Sequence, residues 1–177
     1  ALDIVFSSQD SKSHFEKFYA KSKARKFVYN FVSLIQQPTN QKQDIPKNYF
    51  IVCNQFWPHK NHLTVLKALT LLIKTKNDTH VVLTGNFEGE RNSKYVAELK
   101  QYISENKLTN NITLTGFISR QEQIHLIVNA TAVIQPSFFE GWSTVVEDAK
   151  ALNKFLILSD IPVNREPVHK NVLFFPA

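Results

Sequence analysis

From residue 49 onward the chain alternates short apolar runs with stretches of helical period. Residues 49–53 (Tyr-Phe-Ile-Val-Cys) are continuously apolar, as suits a strand buried on both faces. Over 60–74, Leu63, Leu66, Leu69, Leu72 and Ile73 fall on one stripe, which predicts a helix. The same alternation then recurs. It predicts a strand over 80–84 closed by Gly85, a helix over 92–106 with Tyr95, Leu99, Tyr102 and Ile103 inward, and a strand over 112–115 followed by Gly116. Ser119 and Glu122 have the spacing of a capping box and open a helix that runs to 129. Residues 131–135 read as a fourth strand, 143–152 as a helix, 155–158 as a fifth strand and 172–175 as a sixth. Upstream, the pattern predicts a strand over 2–6, a helix over 11–23 with Phe15, Phe18 and Tyr19 on one side, and a strand over 26–32. Residues 36–46 are polar, contain Pro38 and Pro46 and have no period, which is a linker signature.

Strand, helix, strand, helix is the pattern of an α/β fold, a doubly wound parallel sheet with helices on both faces. The division expected is a small unit at 1–35, the linker at 36–46 and the main domain at 47–177. In such sheets ligands lie beyond the carboxyl ends of the strands, often at helix N-termini. Attention therefore goes to the loops at 54–59, 85–91, 116–119, 136–142 and 159–166.

Composition narrows the class only a little. At 43% hydrophobic and 20% charged the chain is ordinary for a globular protein, and 177 residues can bury a core without staples. Cys53 is the only cysteine, so no disulfide forms within the chain, which suits a reducing cytoplasm. No signal peptide is expected, and no apolar run is long enough for a membrane span. The net charge of +6 reads as a solvated basic surface, with attraction to anionic lipid or a polyanionic ligand as the sharper alternative. Nucleic acid is not expected as a partner, because the aromatics near the basic cluster at 17–26 form a helix face rather than a stacking platform.

Two loops carry candidate chemistry. The first ends in His59 and Lys60 at a helix start, where an ammonium group and free backbone N–H groups can hold a phosphate; the plain alternative is a surface lysine. His59 with His62 is not expected to bind metal, since no further ligands accompany them. The second loop reads Ser-Phe-Phe-Glu-Gly-Trp-Ser-Thr-Val-Val-Glu at 137–147. Gly141 permits close approach to the backbone, and the amides of Trp142, Ser143 and Thr144 can point at an anion, with two hydroxyls added. Glu147, one turn on, can reach a ribose diol, and Glu140 stands where a transferred sugar would lie. The plain alternative makes Glu140 a helix-terminal charge and Glu147 a solvated residue. No dinucleotide fingerprint, P-loop or nucleophile elbow occurs, and no Asp-x-Asp pair is available to hold a divalent cation.

With those residues in view, 47–177 resembles the C-terminal, donor-binding domain of the GT-B fold, family-four retaining glycosyltransferases. The resemblance rests on Lys60, Leu-Thr-Gly at 83–85, Ile-Thr-Leu-Thr-Gly-Phe at 112–117, Pro-Ser-Phe-Phe-Glu-Gly-Trp-Ser-Thr-Val-Val-Glu-Asp-Ala-Lys at 136–150, and Leu-Ser-Asp-Ile-Pro at 158–162 with Glu166 beyond. It implies that 1–35 is the tail of the N-terminal, acceptor-side domain. It further implies that Lys60 binds the donor diphosphate, Glu140 contacts the transferred sugar, Glu147 holds the ribose, the amides after Gly141 cradle phosphate, and Gly116 and Phe117 lie along the nucleobase.

The activity implied is metal-independent transfer, with retention, from a UDP- or GDP-linked sugar to a saccharide or lipid-linked saccharide, without a cofactor. The place implied is the cytoplasm, with peripheral association at the inner face of the membrane for the full-length protein. The present chain alone is expected to bind nucleoside diphosphate weakly and to transfer no sugar. Two departures from the family stand out. Six residues separate Glu140 from Glu147 where the family has seven, and Gln55 stands where the family has an arginine. His59 is the expected replacement for that lost charge. The departures keep a non-catalytic binding module open, and a nucleotide-sugar epimerase of the same fold is the other alternative.

Overall fold

The computed structural model describes residues 2–35, 45–87 and 92–177. Most of the expected linker (36–44) and the end of the 85–91 loop lie outside the described residues. The elements in chain order are β1 (Asp3–Phe6), α1 (Gln9–Phe18), β2 (Arg25–Val28), β3 (Phe50–Cys53), α2 (His62–Leu72), β4 (Val81–Thr84), α3 (Ser93–Glu105), β5 (Ile112–Gly116), α4 (Arg120–Asn129), β6 (Ala132–Gln135), α5 (Thr144–Ala151), β7 (Leu156–Ser159), α6 (Pro162–Arg165) and β8 (Val172–Phe175). Strands β3 to β8 form one parallel sheet in the order β5-β4-β3-β6-β7-β8. The winding direction reverses between β3 and β6. There the two flanking connections leave the sheet in opposite directions, and their divergence opens a crevice at the carboxyl ends of the strands.

Each face of the sheet has its own core. Ile51, Cys53, Val82, Val133, Leu156 and Leu158 pack beneath Leu126, Ile127, Val145, Val146 and Ala149 of α4 and α5. Val52, Val81 and Leu83 pack beneath Val65, Leu66, Leu69, Val96 and Leu99 of α2 and α3. Every residue of β4 is buried, which explains the continuous apolar run there. Expected elements recur in kind and order and differ at their ends, and one further short helix, α6, lies within the expected loop at 159–166.

The differences have local causes. Helix α1 begins at Gln9 rather than 11, because Ser8 caps it by accepting from the Ser11 N–H, and the Glu166 carboxylate accepts from the Gln9 and Asp10 N–H groups at 2.8 Å. It ends at Phe18, well short of 23, with Tyr19 already out of helical geometry. Strand β2 stops at Val28, the last position paired to β1. Helix α2 begins at His62 rather than 60. A 3-10 turn, Pro58–Lys60, precedes it, and Asn61 takes left-handed geometry at φ 54°. The capping box at Ser119 and Glu122 is formed in both directions.

Residues 3–28 make a separate two-stranded parallel sheet crossed by α1. The segment after it passes over the sheet crevice. Trp142 Nε1 donates to the Phe31 carbonyl at 3.1 Å, and Ser33 donates to the buried Asp148 carboxylate. Ser7 and Ser11 donate to the Gly141 carbonyl at 3.3 and 3.4 Å. Among the described residues no helix is long and apolar enough to cross a membrane.

His62 at the start of α2 is fully buried, stacked on Phe56 at 4.5 Å between ring centroids. Burial pushes its imidazole down to about 4. The nearby Asn54 backbone offsets only part of this, and the Lys60 charge adds to the depression. Above the ordinary value of 6.5 both folded and unfolded chains hold this ring neutral. As pH falls below it, the unfolded chain takes up a proton that the folded chain refuses, so stability is lost between 6.5 and about 4. The expected slope from this group is at most about 1.4 kcal/mol per pH unit. Denaturant unfolding across that range should show a steeper loss for the wild type than for His62→Phe, a replacement that keeps the stack and does not titrate.

Candidate active site

The crevice at the reversal of the sheet is a cavity of about 430 Å³, floored by the ends of β3, β4 and β6. Cys53, Asn54, Thr84, Gly85 and Gln135 supply the floor; Phe117, Ile118, Arg120 and Gln123 form one side; Trp142, Ser143, Thr144 and Val145 form the other. Lys60 and Glu140 reach in from the two loops that flank the reversal. The floor must be close-packed backbone. A Cβ on Gly85, whose φ is 136°, would lie 2.1 Å from the Asn54 carbonyl oxygen, so only glycine lets β4 turn away beneath the site.

The loops at 54–61 and 136–143 are stitched together in three places. The Phe138 N–H donates to the His59 carbonyl at 2.8 Å, Asn61 Nδ2 donates to the Pro136 carbonyl at 3.0 Å, and Lys60 Nζ meets Glu140 Oε1 at 2.6 Å. Asn61 fits this place because its short amide tolerates left-handed geometry and bonds in both directions, also accepting from Thr64 Oγ1 at 2.8 Å. Glu140 is 7% exposed. A carboxylate so far from water requires partners, and Gln135 Nε2 gives it a second one at 2.5 Å. Gln135 in turn accepts from Asn54 Nδ2 at 3.0 Å, which ties the strand ends of β3 and β6 into the same network.

The residues expected to hold phosphate are placed as follows. Ser143 caps α5, its hydroxyl accepting from the Val146 N–H at 3.3 Å, and it lines the cavity together with Thr144. Lys60 lines the same cavity as that helix start. Phe117 is 81% exposed at the cavity edge, and Gly116, at φ 74°, turns the chain there. Gly141 lies just outside the lining, with its carbonyl taken by the serines of α1 and the loop before it. The Trp142 indole N–H is spent on the Phe31 carbonyl, and Trp142 lines the cavity.

Four expected residues lie outside the cavity lining: Gly116 and Gly141, each next in the chain to a residue that lines it, and His59 and Glu147. His59 is exposed and outside the lining, while His62 is buried, so the two do not present a pair. Glu147 is also outside the lining. It is 3% exposed and accepts from Lys150 Nζ at 2.9 and 3.0 Å, three positions along the same helix. The next residue, Asp148, points the other way and pairs with Arg120 in the cavity wall. Counting seven intervening residues from Glu140, the family interval, ends on Asp148; that count was the signal available in the sequence. Sequence reasoning also missed Asn54, Gln135, Arg120 and Gln123, none of which belongs to a motif.

Cys53 lies on the cavity floor. Burial pushes its thiol up to about 12, outweighing the downward pull of the Thr84 and Gln123 hydrogen bonds, so it stays protonated and is a poor nucleophile. Among the described residues no three His, Cys, Asp or Glu side chains converge as a metal site.

Comparisons with known proteins agree with this architecture. Residues 36–176 match the family of glycosyl transferases group 1. Over 149 residues the chain is 28% identical to the O-antigen chain mannosyltransferase of Salmonella typhimurium, covering 81% of this chain and 39% of that protein. Among solved structures, the sucrose-phosphate synthase of Thermosynechococcus elongatus superposes with a TM-score of 0.83 at 16% identity, over 98% of this chain and 45% of that one. The Anabaena protein HepE, solved in complex with UDP and glucose, gives 0.81 at 20% identity, over 99% and 50%. A family match over most of the chain, on a parallel sheet with this strand order, places the protein among the group 1 glycosyl transferases, with the Rossmann-like fold of a GT-B domain.

Proposed function

We propose that the cavity at the sheet reversal is the nucleotide-sugar site of a retaining hexosyltransferase, and that residues 1–35 belong to its acceptor-side domain. The observation that carries this reading is the convergence of Lys60, Glu140 and the first turn of α5 on one cavity. A helix start with a capping serine and an ammonium group opposite it suits a diphosphate, since dipole and charge act together. Support also comes from the relatives: HepE was solved with UDP and glucose, and the Salmonella protein is named a mannosyltransferase. The chain spans 39% of the latter, so the activity proposed is that of a longer enzyme.

In this reading the nucleobase lies against Gly116, Phe117 and Ile118, and the diphosphate lies between Lys60 and the α5 amides. Glu140 accepts hydroxyls of the transferred sugar, while Lys60 holds the carboxylate in place. An acceptor hydroxyl attacks the anomeric carbon from the face the diphosphate leaves. The bond to the β-phosphate oxygen breaks, and that oxygen receives the acceptor proton. Fixed positive charge around the leaving phosphate is the main catalytic term, because it needs no reorganisation as the bond breaks. The acceptor is a saccharide or lipid-linked saccharide, and the full-length enzyme meets it at the inner face of the membrane.

A thermal-shift titration with UDP, GDP, ADP and their common sugar conjugates tests the site. Ligand that binds only the folded protein adds about 2.7 kcal/mol at a hundred times its dissociation constant. One nucleoside series should raise the midpoint, and Lys60→Met should abolish the rise; no shift with any of them would overturn the reading.

The ion pair itself can be tested separately by denaturant unfolding. Lys60→Met leaves Glu140 buried without its cation and should cost about 3 kcal/mol, whereas Lys60→Met with Glu140→Gln should recover most of that. Equal stability of the two variants would show that burial of Glu140 does not demand the pair.

A further inference from the structure

Arg120 is a second cation of the same cavity, and no family motif marks it. It is the first residue of α4, and its side chain is half exposed and lines the cavity. Behind it Asp148, with 1% of its side chain exposed, takes both ends of the guanidinium: Nη2 donates to Oδ1 at 2.6 Å and Nη1 donates to Oδ2. Ser33 donates to the same carboxylate and receives Nη2 at 3.2 Å, and Gln123 Oε1 accepts from Nη1 at 3.2 Å.

A forked pair of this kind fixes the plane and position of the arginine. It does not use every donor. Of the five guanidinium N–H bonds, the one on Nε has no partner among the described residues. Asp148, by contrast, is covered. Its oxygens face Arg120 and Ser33, and nothing of them is presented to the cavity.

The charges are layered in the same way on both sides of the crevice. Of the charged residues lining the cavity among those described, Lys60 and Arg120 are the cations and Glu140 is the anion. Lys60 stands 17% exposed before an 8% exposed Glu140, and Arg120 stands 50% exposed before the buried Asp148. In each pair the carboxylate is more buried than its cation, so the more exposed charge is positive. Gln55 brings no charge to this cavity, and His59 lies outside it. Arg120 is therefore the residue that can supply the charge missing at Gln55.

We propose that Arg120 binds the phosphate nearest the nucleoside, and that Asp148 is a positioning residue that holds Arg120 for this contact rather than a ribose ligand. The assignment rests on the reading of the cavity as a nucleoside-diphosphate site. It follows from place: Arg120 comes two residues after Ile118, on the nucleobase side, lines the same cavity, and is paired to Asp148 of α5, whose start is on the phosphate side.

The test is isothermal titration of the 177-residue protein with nucleoside diphosphate, nucleoside monophosphate and free nucleoside, in both the uridine and guanosine series. Arg120→Gln alone strands a buried carboxylate, so the informative variant is Arg120→Gln with Asp148→Asn, which removes both charges. It should weaken diphosphate and monophosphate binding by about tenfold or more and leave the nucleoside nearly unaffected. Arg120→Lys, which keeps the charge and gives up the fork, should restore part of the loss. An equal loss for the free nucleoside would mean that the pair meets the ribose. No loss would make it a structural brace. Either result overturns the assignment while the site reading stands, whereas a wild-type protein that binds no member of either series overturns both.

Discussion

Glu140 is a carboxylate with 7% of its surface exposed, held at the end of a loop that runs off the middle of a parallel sheet. A charge in that position costs several kcal/mol unless it is paired and hydrogen-bonded. The surrounding geometry is organised around that need. Lys60 comes from the connection after β3, Gln135 from the end of β6, and Asn54 from the end of β3 through Gln135. The two connections that diverge at the sheet reversal are thus drawn together over the crevice they create. The backbone bonds from Phe138 to His59 and from Asn61 to Pro136 hold that closure in register.

From this follow the properties of the cavity. Its floor is the carboxyl ends of three strands, where Gly85 admits the Asn54 carbonyl at a distance no side chain tolerates. Its walls are the starts of α4 and α5, each capped by a serine, so that the helix dipoles point into the same space. The segment at 29–35 is tied to the start of α5 and to Asp148 behind the cavity wall through Phe31 and Ser33. Beyond it, α1 docks on Glu166, whose carboxylate takes the first free N–H groups of that helix. Contacts from the small β1–α1–β2 unit therefore reach the loop that carries Gly141, and its position bears on the shape of the cavity.

Much of this was legible in the sequence. Strands β3, β4, β6 and β7 are apolar without alternation because the sheet is covered on both sides, and that pattern has few other readings. Lys60, Glu140, Ser143 and Thr144 belong to loops that any parallel sheet brings to its carboxyl edge. What escaped depended on facing. Glu147 and Asp148 are adjacent acids on one helix, and periodicity alone does not say which of them turns toward α4; packing sends Glu147 to Lys150 and Asp148 to Arg120. The first turn of α2 was placed too early because Asn61 in left-handed geometry carries no strong sequence mark. Arg120, Gln123 and Gln135 lie in ordinary helix and strand sequence, and only the fold makes them neighbours of the cavity.

In the proposed site a nucleoside diphosphate lies between Lys60 and the first turn of α5. Hydrogen–deuterium exchange of the protein with and without saturating UDP or GDP tests it most directly, since it reports the location of the ligand and not only its affinity. Slowed exchange is expected at the amides of 142–146 and 117–121, with the outer strand β8 unchanged. Protection confined to other surfaces, or none at the α5 start under conditions where binding is measured, would contradict it.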